Sequence, residues 1–506
     1  MISILSSTQL QEADKYTILH EPIEAIDLME RAAMACCEWI AANYQTSKKI
    51  VVCCGIGNNG GDGLAIARLL IQKNFNVAAM VVGEINKSSE LFKINYERLS
   101  KILPNGISQC SNNSDFSSID ANTIVIDALF GTGLNRKPDA LALAAINYIN
   151  ENASCVISID VPSGMYVDPN KMQQIQHAVR ANLTLTFHAP KLAFLFPEGG
   201  AHVGKLIVLD IGLHPDFIST TNSTYHYVSK QDIEILGKKR PTFSHKGNFG
   251  HAFLLAGSNS KMGAAVLCAN AAMRSGVGMV TASVPEHGKS TINNVVPEVM
   301  VQEGAERLQL NMDLSSYTAI GVGPGLGVNN ESAQELKLLI QNYKGMLILD
   351  ADAITILALN KTWLSFLPPL VIFTPHPKEF ERLCGKADNS FHRIQIAKEF
   401  CMKYTAYLIL KGKYTCLVCP DGNCYFNSTG NSGMAKAGSG DVLAGLLTGL
   451  AAQGYTPFAA SLMAVYIHGM AGDYAAGHFS EYAMKAGDII SFFPKAFKQF
   501  SWENSK

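Results

Sequence analysis

Lys49–Ile71 reads KIVVCCGIGNNGGDGLAIARLLI: a short β-rich run, a turn built from Gly and Asn, then an apolar helical run. Strand, glycine-rich turn and helix in that order open a Rossmann-like unit. The turn is more than a bare glycine turn, because it carries Asn58, Asn59 and Asp62 beside Gly60 and Gly61. Asparagines tolerate left-handed turn geometry and offer side-chain oxygens, while glycines let a ligand touch backbone. A generic tight turn needs no such set, so Asn58–Asp62 reads as a binding loop.

Working outward, residues 1 to about 45 read as two helices, the second opened by Pro22 and apolar at Ile26, Met29, Ala33, Cys37 and Ile40. Downstream come strand Val77–Val82, helix Ser88–Leu103 and strand Thr123–Ile126, which ends at Asp127 and Leu129–Leu134. After a helix near Asp139–Ile149, strand Ser154–Ile159 ends at Asp160 and Val161–Gly164. Strands Asn182–Phe187 and Lys205–Leu209 close this half, with Lys191 on the loop between them. Carboxyl ends of parallel strands share one edge of the sheet, and ligands bind there. Asp127 and Asp160 therefore read as site residues, helix capping being the competing assignment.

Residues 215–225, PDFISTTNSTY, are polar and aperiodic and read as a linker. A second α/β series follows, with strands His251–Ala256, Met279–Val284, Ala319–Val322, Met346–Leu349, Leu370–Phe373 and Tyr407–Leu410. Their exits carry GPGLG (323–327), DADA (350–353), TPHP (374–377) and Lys411-Gly412. His376 lies between two prolines, equally open to a structural role or a site role. Asn431–Gly445 then reads NSGMAKAGSGDVLAG, small residues running into an apolar helix with Asp441 at the join. A helix start in Gly-Ser-Gly exposes unpaired N–H groups at the positive end of the helix dipole, which suits a phosphate. Asp441 there is either an N-cap or the base that takes a proton from an attacking hydroxyl.

At 506 residues the chain is too long for one ordinary core and predicts at least two domains. A net charge of −1 with 48% hydrophobic residues points to neither nucleic acid nor a membrane surface. The twelve cysteines show no disulfide framework, and the Cys416-Cys419 pair has no second pair at zinc-ribbon spacing. Reduced thiols in the cytoplasm are expected. The first residues lack a basic n-region, so no signal peptide is expected. No apolar run of about 18 residues occurs, so no membrane span is expected either.

NNGGDG and DVPSG in the first half, with KGNFGHAFLLAGS, GVGPGLG, TPHPKEF, LKG and NSGMAKAGSGD in the second, resemble the bifunctional NAD(P)H-hydrate repair enzymes. Two positions depart from that pattern: Ile56 where Pro is usual, and Lys378 where Gly is usual. The resemblance implies an α/β protein of two domains. Residues 1–218 would form a Rossmann-like epimerase, and residues 226–506 a ribokinase-like, ADP-dependent dehydratase. The substrates implied are NADHX and NADPHX, reduced nicotinamide nucleotides hydrated across the 5,6 bond.

Within that resemblance, Asn58, Asn59, Gly60, Gly61, Asp62, Gly131, Thr132, Gly133, Leu134, Asn135, Arg136 and Lys137 would hold the hydrate in the first domain. Asp160 would act as acid or base there. Asn59, Asp127 and Ser163 would give oxygens to K⁺, a hard cation. In the second domain Ala265, Gly325 and His376 would line the hydrate. Lys411, Gly412, Lys413, Tyr414, Thr415 and Gly440 would hold ADP with Mg²⁺, and Asp441 would be the base. Fusion of the two domains favours ADP over ATP as donor, and a homo-oligomer is expected. The alternative is a ribokinase-like small-molecule kinase fused to a nucleotide-binding domain, revealed by a stable phosphorylated product.

Overall fold

In the computed structural model, which describes every residue except 113–114, 117, 175–176, 303–312 and 503–506, alternate residues of Lys49–Cys54 enter different cores. Ile50, Val52 and Cys54 pack with Ala33, Cys37, Leu64 and Leu70 on one face, and Val51 and Cys53 with Ile146 and Ile149 on the other. The two-residue period of a strand produces this split, and burial on both faces explains the unbroken apolar run.

Chain contacts divide the molecule into Ser3–Ser223 and a second unit, Thr224–Lys506 with Met1–Ile2. The short strand β1 (Ile2–Ser3) edges the second unit's sheet. The first unit contains β2 (Lys49–Cys54), β3 (Asn76–Val82), β4 (Ile107–Cys110), β5 (Ile124–Ala128), β6 (Cys155–Ile159), β7 (Leu183–Phe187) and β8 (Lys205–Leu209). They form a seven-stranded sheet in the order β4-β3-β2-β5-β6-β7-β8, with every pair parallel. The order reverses between β2 and β5, so the loops after these two strands flank a topological switch point, where such sheets bind ligands. The approach is close: a Cβ on Gly55 would lie 2.0 Å from the Leu129 carbonyl oxygen, and one on Gly60 1.7 Å from that of Gly55. Only glycine fits either place.

In the second unit follow β9 (Tyr225–Val228), β10 (His251–Leu255), β11 (Met279–Ser283), β12 (Met300–Val301), β13 (Ala319–Val322), β14 (Met346–Leu349), β15 (Ile372–Phe373), β16 (Tyr407–Leu410), β17 (Cys416–Val418) and β18 (Cys424–Asn427). The eleven strands run β1-β9-β18-β17-β16-β15-β14-β13-β10-β11-β12. The stretch from β12 to β16 is parallel, and β16, β17 and β18 pair antiparallel. Here the order reverses between β10 and β13, and Gly257 N–H donates to the Pro324 carbonyl across that crevice (2.9 Å).

Three local expectations are corrected. Residues 215–225 are not a structureless linker: Pro215–Thr220 is a helix and Tyr225–Val228 is β9, paired with β18. Pro215 at the first helical position has a suitable φ and lacks only an N–H that would go unpaired, and the His214 ring accepts from Asp216 N–H. The second helix starts at Ala25 behind Glu24 rather than at Pro22. Asp127 lies inside β5, opposite Ser158 of β6, rather than after the strand. Among the described residues, no helix is long and apolar enough to cross a membrane.

Candidate active sites

In the first unit the loops after β2 and β5 and the ends of β6 and β7 surround a cavity of about 840 Å³. Asn58, Asn59, Asp62, Asp160 and the loop Gly131–Arg136 line it, as do His188 and Lys191. Gly60, Gly61 and Lys137 do not. Gly60 lies against the Gly55 backbone and Gly61 against Met29. Both belong to the helix Asn58–Gln72, so the stretch Asn58–Asp62 expected as a turn is the start of that helix, and these two glycines let it pack closely instead.

Asp160 follows β6 with φ +62°, a left-handed conformation costly for a side-chain-bearing residue and found at functional positions. Its carboxylate pairs with Lys191 Nζ at 2.9 Å and accepts from Thr186 Oγ1 at 3.4 Å. Lys191, only 3% exposed, also donates to the Phe187 carbonyl at 3.1 Å. The loop position of Lys191 is legible in sequence, but its partnership with Asp160 is not.

Asp14 carries no sequence-based expectation, yet it lines the same cavity from the helix Ser7–His20. Leu10 and Ile18 line it too. An acid at the centre of an apolar i, i+4, i+8 stripe is the signal that marks it. Burial, then Asp160, pushes the Asp14 carboxyl up to about 6, against the opposing charge of Lys191. Burial, Asp160 and Asp14 push Asp62 well above the usual carboxylate range. His188 is pushed down by burial and by Lys191.

Beside this cavity Asp127 is fully buried. Its carboxylate accepts from Ser158 Oγ (2.7 Å), Ser163 N–H (2.9 Å) and Leu129 N–H (3.3 Å). Burial raises its pKa in spite of those bonds. Ser163 Oγ accepts from Phe130 N–H at 2.9 Å, and Asn59 Nδ2 donates to the Ile159 carbonyl at 3.3 Å. Asn59, Asp127 and Ser163 are thus brought to the adjoining ends of β5 and β6.

In the second unit the helix Ser439–Ala452 starts behind Gly438, whose φ of +92° makes it the N-cap. Asp441 is the third helical residue, and among the described residues no backbone N–H donates to its carboxylate, which removes the capping alternative. Burial, then Asp350, pushes its carboxyl up to about 6, Asp352 adding and Lys411 and Lys261 opposing. Asp350, at the exit of β14, accepts from Thr374 Oγ1 and Lys411 Nζ, each at 2.6 Å. Asp352 accepts from Lys261 Nζ (3.0 Å) and Gly327 N–H (2.8 Å). The flanking acids each hold a lysine, and Asp441 holds none.

Lys411 Nζ sits beside Gly440, 3.1 Å from where a Cβ there would be. Thr415 Oγ1 donates to the Gly412 carbonyl at 3.0 Å, closing the turn in which Lys413 is exposed and Tyr414 half-buried. At the β10/β13 crevice Gly325 lies against Ala264, and Ala265 lies against Gly257. His376 is the N-cap of the helix Pro377–Cys384. Its Nδ1 accepts from Lys378 and Glu379 N–H, which leaves the proton on Nε2, 3.2 Å from Glu379 Oε1. Of its two open roles, the structural one is present. His468, which sequence reading used only as an interruption of an apolar helix, is buried, and burial and the Lys411 charge push it down to about 4.

Residues 25–193 match the YjeF-related protein N-terminus family, and residues 252–495 match the NAD(P)H-hydrate dehydratase family. A bifunctional NAD(P)H-hydrate repair enzyme of Moorella thermoacetica is 31% identical over 99% of this chain and 97% of its own. One of Thermofilum pendens is 32% identical over 98% and 95%. The crystal structure of the ADP/ATP-dependent NAD(P)H-hydrate dehydratase of Bacillus subtilis, co-crystallised with ATP and Mg²⁺, covers 55% of this chain and 99% of its own at TM-score 0.50 and 31% identity. With both units covered over nearly their whole length by such relatives, the chain belongs to the family of bifunctional NAD(P)H-hydrate repair enzymes.

Proposed function

We propose that residues 1–218 interconvert the R and S hydrates of NADH and NADPH, and that residues 226–506 dehydrate the S hydrate with ADP, releasing AMP and phosphate. The observation that carries the reading is Asp441: a carboxylate without a lysine of its own, at the positive end of a helix, with Lys411, which Asp350 holds, beside Gly440. Asp441 takes the proton of the C6 hydroxyl while its oxygen attacks the β-phosphoryl of ADP, and the Gly438–Gly440 amides and Lys411 stabilise the charge on the transferring group. Hydroxide is a poor leaving group and phosphate a good one. Loss of phosphate from C6 and of a proton from C5 then restores the double bond. Ala265, Gly325 and His376 border the hydrate, and Lys411–Thr415 with Gly440 border the nucleotide.

Two ions belong to this reading. K⁺ fits the first unit, where Asn59, Asp127 and Ser163 offer oxygens and the buried Asp127 carboxylate meets hydroxyl and amide donors but no lysine. It would neutralise Asp127 and fix the loops after β5 and β6. Mg²⁺ would neutralise the nucleotide phosphates. All twelve cysteines are unpaired thiols, which suits the cytoplasm. We place a homo-oligomer there.

The test is incubation with mixed R and S hydrates, ADP, Mg²⁺ and K⁺, following the absorbance of the reduced nicotinamide. Full recovery from both epimers is expected. Accumulation of a stable phosphorylated product would instead establish the plain kinase.

A further inference from the structure

We propose that Asp14 is a second catalytic carboxylate of the epimerisation, acting on the hydrated ring from the side of the helix Ser7–His20 while Asp160 acts from the edge of the sheet. This rests on the epimerase reading of the first unit and adds to it a residue outside every motif.

Inversion at C6 requires chemistry on both faces of the ring. On one face the hydroxyl takes a proton from a carboxylic acid and the C6–O bond breaks, its electron pair leaving with water. The N1 lone pair moves into an N1=C6 double bond. On the other face a second water adds to C6 as a carboxylate takes its proton, and the electron pair returns to N1. One water leaves, one enters, and one proton passes from one carboxyl group to the other, so no oxidant or reductant is needed. The site must hold one carboxyl group protonated and one ionised.

The cavity meets that requirement. Asp14 and Asp160 line it from separate elements, and they are close enough for the charge of one to act on the other. Asp160 is committed to Lys191 at 2.9 Å, whereas the Asp14 carboxylate, carried on the helix Ser7–His20, makes no hydrogen bond or ion pair among the described residues. A structural role as a cap or a bridge is therefore absent for Asp14. The titratable and charged groups that line the cavity with it are Asp62 from the helix Asn58–Gln72, Arg136 from the loop after β5, Asp160 from the end of β6, and His188 and Lys191 after β7. The helix Ala25–Asn43 contributes only apolar lining, from Ala25, Leu28, Met29 and Ala32. With three acids facing one buried lysine, the burial that raises Asp14 to about 6 keeps a protonated fraction available near neutrality, about a tenth at pH 7.

The experiment uses the full-length chain and substitutes Asp14→Asn, Asp14→Glu and, as control, Asp160→Asn. ADP-dependent consumption of pure S hydrate, which reads the untouched second unit, should stay at the parental rate in all three. With R hydrate, Asp14→Asn should lower the epimerisation kcat by about 10²–10⁴ with little change in KM. Asp14→Glu should recover part of the loss and retain a titration in the pH profile that Asp14→Asn lacks. Parental epimerisation in H₂¹⁸O should place one ¹⁸O at C6 per inversion. An Asp14→Asn protein that epimerises within threefold of the parent with an unchanged pH profile, while Asp160→Asn is inactive, overturns the role of Asp14. Retention of the C6 oxygen overturns it as well. If R hydrate disappears equally fast in the parent, in Asp160→Asn and without protein, the epimerase reading itself fails.

Discussion

The two units solve the same topological problem and then diverge in charge. Each sheet reverses its order beside its first central strand, at β2/β5 and at β10/β13, and each gathers carboxylates at that edge. In the first unit Asp14, Asp62 and Asp160 face one lysine, Lys191. In the second unit Asp350 and Asp352 each hold a lysine, so Asp441 alone is left without one, at a positive helix end. The first arrangement keeps protons among carboxyl groups, as inversion of a hydroxyl-bearing carbon demands. The second leaves one carboxylate unpaired at the positive end of a helix, the place that the proposed reaction gives to a phosphate. On the proposed reading, similar sheet edges thus serve proton exchange in one unit and phosphoryl transfer in the other.

The largest expected effect tests the unpaired acid. Asp441→Asn should slow dehydration of S hydrate by about 10²–10⁴, roughly 3 to 5 kcal/mol of barrier, while ADP still binds. Steady-state rates and ADP titration check this, and a mutant above a tenth of the parental rate leaves the proton acceptor unassigned. Next in size, Asp160→Ala should make an R/S mixture biphasic, the R portion falling by about 10² towards the rate of spontaneous interconversion. A single fast phase would show that Asp160 only holds Lys191.

The paired lysine gives a third, mixed effect. Lys411→Met strands the buried Asp350 carboxylate, 2% exposed, and should cost about 2–3 kcal/mol of stability by chemical denaturation. Because Lys411 holds the Asp441 carboxyl down, its loss should also move the acid limb of dehydration to higher pH. An unmoved limb would separate Lys411 from Asp441.

The smallest effect concerns the cost of the unpaired charge. Folding raises Asp441 from 3.8 to about 6, so between those values the native state binds more protons than the unfolded chain and stability falls as pH rises. The penalty is complete above the folded value and absent below the unfolded one. Asp441→Asn should therefore be more stable than the parent by about 1–2 kcal/mol at pH 8, a difference that disappears towards pH 4. Equal melting curves at both pH values would mean that Asp441 ionises without strain.

Much of this comparison is local in origin and hence legible in the chain. Strand runs, glycine turns and the parallel order they imply put Asn58–Asp62, Asp127, Asp160, Lys411 and Asp441 at sheet edges, because period-two burial and turn chemistry act over a few residues. The same local reasoning misled where one composition serves two conformations. Polar residues 215–220 form a helix through Pro215 and His214. Tertiary structure alone decided which acids are partnered. That Lys191 reaches Asp160, that Lys411 reaches Asp350, and that Asp14 turns into the first cavity from a helix some 35 residues before the nearest loop motif depend on packing between distant segments. It also made Gly438, not Asp441, the cap. Burial and neighbouring charge set the protonation of a carboxylate, and both are properties of the folded surroundings rather than of the residue or its sequence neighbours.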